Sequence, residues 1–206
     1  QLVEVNPDSL LAGYLRGEVY RRNGNFAEAV DVFLSIAGKD SSCYPALLEA
    51  ARIDERRGRS REILPYVEIL LARFPDEIEV LRVAVDVLIS SGRYGTADMV
   101  LSRAISRFSE DRDFLLSRML LLERLGDTEK ALRLVRAFER EYGSRPQTLL
   151  VRGRAALRAG RLPEAVDLAQ QGRRSYPGVY EFTLLYADAL RRSGRSEDAY
   201  EALQER

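Results

Sequence analysis

The chain has no histidine, one cysteine and two lysines among its 206 residues. Lacking histidine, it lacks the commonest general acid or base near neutral pH and the commonest metal ligand. A lone cysteine, Cys43, forms neither an internal disulfide nor a cysteine-rich zinc site, and it reads as an unpaired thiol in a loop. No cofactor and no metal are expected. No apolar run approaches the ~20 residues that span a bilayer. No leader pattern is visible either, and the compartment stays open between cytoplasm and periplasm. An excess of either charge is also missing, with 32 Lys and Arg against 32 Asp and Glu. Non-specific nucleic-acid binding needs a cationic surface, so no nucleic-acid partner is expected, although a local basic stripe is compatible with neutrality. The one Gly-Lys pair, Gly38-Lys39, lacks the upstream glycine and the following hydroxyl residue of a phosphate-binding loop.

What the chain does have is a period. Glycine recurs every 34 residues, at Gly24, Gly58, Gly92, Gly126, Gly160 and Gly194. A fixed interval of that length marks a repeat array. Before each glycine lies a segment with apolar residues at helical spacing, such as Leu81, Ala84, Val85 and Leu88. After it comes a second, such as Ala97, Val100, Leu101 and Ala104. Glycine ends the first helix because it accepts the left-handed backbone without a side-chain clash. Each unit is therefore predicted to be a helix, a tight turn and an antiparallel helix.

Small residues recur five after the glycine, at Ala29, Ala97, Ala131, Ala165 and Ala199, and seven before it, at Gly17, Ala51, Gly153 and Ala187. They let paired helices approach closely. Ile63, Val85 and Met119 break the pattern and predict wider spacing in the second, third and fourth units. Seventeen residues after the glycine lies a breaker: Ser41, Pro75, Ser109, Gly143 or Pro177. Pro163 suits the start of a second helix. Pro65 falls several residues inside one, which predicts a late start or a kink.

This grammar resembles the tetratricopeptide repeat family over essentially the whole chain. The period, the small residues, the Gly-x-aromatic turns (Gly24-Asn25-Phe26 and Gly92-Arg93-Tyr94) and the closing proline carry the resemblance. Leucine (Leu47, Leu81, Leu115, Leu149) stands where such units often have tryptophan. Another family of helical hairpins is the alternative. The expected units are 10–43, 44–77, 78–111, 112–145 and 146–179, then an incomplete 180–206, in one continuous domain. Residues 1–9 read as the end of a preceding unit, with Pro7 in phase with Pro75, and the array is expected to continue beyond both ends.

The resemblance implies an all-α fold: a right-handed superhelical solenoid whose first helices line a concave groove. It also implies a scaffold that binds a protein or peptide segment there. Residues ten and six before each glycine share a helix face. They are Tyr14 and Glu18, Leu48 and Arg52, Arg82 and Asp86, Leu116 and Leu120, Leu150 and Arg154, Leu184 and Asp188. The apolar members read either as a groove for an amphipathic partner or as packing between units. No inner position is asparagine, which argues against the lysine and asparagine clamp of chaperone-binding relatives.

A second stripe lies two residues before the glycine: Arg22, Arg56, Arg124, Arg158 and Arg192, broken by Ser90. It reads as a basic rim for an acidic segment, or as cations favoured at helix C-termini. Arginine outnumbers lysine throughout the chain, which suits the second reading. Asp54 stands where other units place Tyr20, Leu88 or Leu190, so it is expected to be enclosed and paired with a neighbouring arginine. Carboxylates otherwise follow helix surfaces without a shared cleft, and no enzyme is expected. Other readings are a ligand- or peptide-sensing array, or the substrate-recruiting region of a larger enzyme or secretion machine. Self-association through the repeat ends is a further expectation.

Overall fold

A computed structural model describes residues 9–40 and 43–204. Twelve α-helices and no strand occur among the described residues. They alternate as α1 (Leu10–Arg22), α2 (Phe26–Lys39), α3 (Tyr44–Arg56), α4 (Ser60–Arg73), α5 (Ile78–Ser90) and α6 (Tyr94–Arg107). Then follow α7 (Arg112–Arg124), α8 (Thr128–Tyr142), α9 (Pro146–Arg158), α10 (Leu162–Ser175), α11 (Glu181–Arg192) and α12 (Ser196–Gln204). Of the expected tail of a preceding unit, residues 1–9, all but Ser9 lie outside the described residues, as does Ser41. No helix among those described is long and apolar enough to cross a membrane.

Every second helix begins two residues after the turn glycine. The glycines have φ between 71° and 83°, a region that a Cβ makes costly. Each turn carries the same pair of hydrogen bonds. In the first, Gly24 N–H donates to the Arg21 carbonyl at 3.2 Å and Asn25 N–H to the Tyr20 carbonyl at 2.9 Å. In the fifth, Gly160 N–H reaches Leu157 at 3.2 Å and Arg161 N–H reaches Ala156 at 3.0 Å. This is the Schellman arrangement, which satisfies carbonyls that a helix end leaves orphaned. In the last three turns the next helix opens on an ion pair across its first turn. Arg161 Nε meets Glu164 at 2.7 Å and Arg195 Nε meets Asp198 at 2.5 Å. In the fourth turn the signs are exchanged, with Asp127 facing Lys130 Nζ at 2.6 Å.

Packing divides the chain into two compact units, the first ending at Phe114 and the second starting at Leu115. In the first, Ala29, Phe33, Ala46 and Ala50 are fully buried and Tyr14 tilts against Phe33 with ring centroids 5.3 Å apart. In the second, Phe182, Ala165, Ala169 and Ala189 are likewise fully buried, among Leu149, Leu168 and Leu185. Burying each phenylalanine contributes roughly 1.5–3 kcal/mol. The small residues act as expected. A Cβ on Gly17 would lie 2.7 Å from the Phe33 ring, and one on Gly153 would lie 2.5 Å from Leu185 Cδ2. Helices α1 and α2, and α9 and α10, approach each other over more of their length than α3 and α4 or α5 and α6, where Ile63 and Val85 stand.

Pro65 does not delay α4, which starts at Ser60 in phase with the others and runs through the proline to Arg73. A proline this early withdraws one N–H from the helix ladder, and Ile63, Val67 and Leu70, all buried, hold the segment helical around it.

An aromatic ladder went unread in the sequence. Residues sixteen after the glycine, Phe74, Phe108, Tyr142 and Tyr176, each close a second helix against another ring. The partners are Tyr44 (4.8 Å), Phe114 (6.3 Å), Phe138 (4.9 Å) and Phe182 (6.2 Å). The 34-residue interval between them was the available signal.

Candidate binding face

Within each unit, the apolar residues expected on the inner side of the first helices are mostly closed. Leu48, Leu116 and Leu150 are 4%, 8% and 6% exposed. Of the two readings, groove or packing between repeats, this burial favours the second at these three positions. Leu150 sits in the cluster with Leu185 and Phe182, and Leu116 with Met119 and Val151. Leu120 is half-buried against that second cluster. Tyr14 is half-buried too; burial first, then Glu49 and Glu18, push its phenol upward. Only Leu184 remains open, at 48%.

The polar half is laced with ion pairs. Arg21 holds Glu18 with two parallel hydrogen bonds, 3.0 and 2.7 Å, which keep the Glu18 carboxyl below its ordinary range. Arg52 donates to Glu49 at 2.7 Å and to Glu79 of the following repeat. Arg82 donates to Glu79 at 2.9 Å and to Asp111 at 2.5 Å. The Asp111 bond raises the Arg82 guanidinium further above its ordinary value. Asp111 also caps α7, its Oδ1 accepting the Asp113 and Phe114 N–H groups at 3.0 and 3.3 Å. Asp54 is buried and accepts from Arg57 at 3.0 Å, as expected of an enclosed carboxylate.

In the second unit a buried carboxylate organises the face. Glu123 is 1% exposed, with Arg158 Nη2 at 2.6 Å, Arg154 Nη1 at 3.5 Å and Arg124 Nε at 3.8 Å. Its oxygens have no aligned hydrogen bond, so charge proximity dominates; the aligned bond runs from Arg158 Nη1 to the Glu123 carbonyl at 2.8 Å. Burial lowers the Arg154 guanidinium from its ordinary value, with Glu123 opposing. Burial would raise Asp188, but hydrogen bonds from Arg191 (2.6 Å) and Arg192 (3.3 Å) outweigh it and leave it below the carboxylate range. Glu79, Asp111 and Glu123 were missed in the sequence because they answer residues 27 to 35 positions away.

The rim arginines have divided roles. Arg124 and Arg158 face Glu123, Arg192 faces Asp188 at 3.1 Å, and Arg56 lines a hollow in the first unit. Arg22 is exposed and adds positive potential at Glu18.

That hollow, about 210 Å³, lies between α3 and α5 and is walled by Arg52, Glu55, Arg56, Glu79, Arg82, Val83 and Asp86. Asp86 differs from the other inner positions. Water reaches it, yet it has no ion pair among the described residues. Crowding by protein atoms, then the negative charges of Glu55 and Asp113, push its carboxyl up to about 7. Among the described residues no group of three or more His, Cys, Asp or Glu is placed to hold a metal ion.

A family model described as tetratricopeptide repeat matches residues 1–42 and 150–206. Over those two stretches, 99 of its 206 residues, the chain is similar in sequence to the tetratricopeptide repeat family. Solved tetratricopeptide structures share its all-α hairpin solenoid fold. One from Parabacteroides merdae superposes with a TM-score of 0.68 at 15% identity, over 95% of this chain and 78% of its own. TTC0263, a thermophilic protein of Thermus thermophilus, gives 0.66 at 20% identity, over 88% and 99%. YrrB, described as having an unusual peptide-binding site, gives 0.62 at 14%, over 88% and 93%. No curated protein matches the sequence.

Proposed function

We propose that this scaffold holds a peptide or helical segment of a partner on the face of its first helices, at the hollow between α3 and α5. Asp86 carries the reading. The other charged inner positions already face an opposite charge within their own repeat or an adjacent one, whereas Asp86 presents an unanswered carboxylate beside Glu55. A lysine or arginine of the partner completes it, while Arg56 on the same wall takes an acidic neighbour. Recognition is therefore by charge order along a segment, with the aliphatic stems and Val83 supplying the apolar contact.

The test is a pull-down with this chain as bait, compared with Asp86→Lys and with an exposed control outside both hollows, Met99→Arg. A specific partner lost with Asp86→Lys, kept by the control and weakened by raised salt supports the site. A partner that Asp86→Lys retains sinks it.

A second reading rests on exposed apolar side chains: Leu11, Leu15 and Val19 on α1, and Leu184, Tyr200 and Leu203 on α11 and α12. Such faces support self-association. Light scattering across a concentration series tests it, and a constant monomer mass removes it.

A further inference from the structure

A second hollow, about 310 Å³, opens among α2, α3 and α4 in the first unit. It shares no residue with the charged hollow. Its walls include Leu34, Cys43, Tyr44, Tyr66, Ile69 and Phe74. The Tyr44 and Phe74 rings meet at 4.8 Å and 41°, and Ile69 stands 44% exposed at its edge. The repeat itself supplies a control for what this place needs structurally. Where the first unit has Leu34, later units have Glu68, Ser102, Arg136 and Gln170. Where the second has Ile69, the others have Ser35, Arg103, Ala137 and Gln171. The fold accepts polar residues at both positions, so packing does not demand the apolar pair at this junction.

We propose that this hollow is a binding site for one aromatic ring, of about indole or phenyl size. The volume falls at the small end of ligand sites. Three rings, Tyr44, Tyr66 and Phe74, and the aliphatic Leu34, Leu47 and Ile69 line it, which suits offset or edge-on ring packing. Arg73 at the wall adds a cation that favours the π face. The ring reaches it as a free small aromatic molecule or as a side chain of a bound polypeptide.

Two features of the chain make the test clean. It contains no tryptophan, so indole emission excited beyond the tyrosine band arises from the probe alone. Its single thiol, Cys43, lines the hollow and reports occupancy. The probes are free indole and N-acetyl-tryptophanamide. Ligands this small bind with millimolar dissociation constants, so ~5 mM probe is expected to slow modification of Cys43 by a thiol reagent about threefold. Probe emission shifts to the blue in parallel.

The variants Leu34→Gln and Ile69→Arg carry what Gln170 and Arg103 supply elsewhere in the array, and each is expected to fold and to lose both effects. A tighter response to indole identifies a free aromatic molecule as the source, and a tighter response to the capped amino acid identifies a side chain. Unchanged thiol kinetics and emission with both probes overturn the proposal, as does equal protection in folded Leu34→Gln and Ile69→Arg.

Discussion

Asp86 is the residue at which physical chemistry and sequence pattern part company. The pattern placed it on the inner face; it gave no sign that its charge would be costly there. Its carboxyl is raised to about 7 from an ordinary 3.8. The folded chain therefore binds more protons than the unfolded chain between those values, and stability falls as pH rises through that window. Asp86→Asn is expected to stabilise the protein at pH 8 and to lose that advantage near pH 4, as followed by thermal unfolding. A gain that persists unchanged at pH 4 contradicts the assignment. Binding of a basic partner side chain has the opposite slope: it weakens as pH falls through 7, because the site loses its charge.

Gly172 shows the same limit from the packing side. Alanine there should favour the helix by ~1 kcal/mol on propensity alone. Yet its Cβ would lie 2.1 Å from the fully buried Phe182 ring. Gly172→Ala is expected to destabilise by about 1–3 kcal/mol in urea titration, and a stabilised variant would show that the ring moves freely.

At the scale of helices and turns, nearly everything was legible. The six glycines specified the hairpins because a left-handed residue two before a helix start admits few alternatives. Gly160→Ala keeps the turn but forces alanine to φ near 71°; a loss of ~1 kcal/mol is expected, read from the denaturation midpoint. What spacing alone left undecided was which side of a leucine faces a neighbour. Residues ten before the glycine share a helix face with residues six before it, but three leucines among the former are closed while the latter stay at least partly open. The three are Leu48, Leu116 and Leu150, whereas Arg52 and Arg154 meet acids from other repeats. Ion pairs that cross repeats follow tertiary placement, which no local pattern encodes.

Across the molecule, stability of such an array is a sum of hairpin terms and nearest-neighbour interfaces. Damage should stay local. Phe182→Ala removes a ring packed on Gly172 and Tyr176 and is expected to cost about 3–5 kcal/mol. Hydrogen–deuterium exchange read by mass spectrometry should show α10 and α11 losing protection well before α1 and α2. Uniform loss along the chain would indicate a single cooperative core instead.

The Schellman turns have a consequence for how the chain is made. Each closes with hydrogen bonds between residues five or fewer apart, and each hairpin finds its partner within about one period. Contacts this local favour rapid folding. Synthesis at about 5–20 residues per second delivers a new hairpin every ~2–7 s, far slower than a helical pair needs to form. The array is thus suited to fold in the order in which it leaves the ribosome, each hairpin docking on a neighbour already in place.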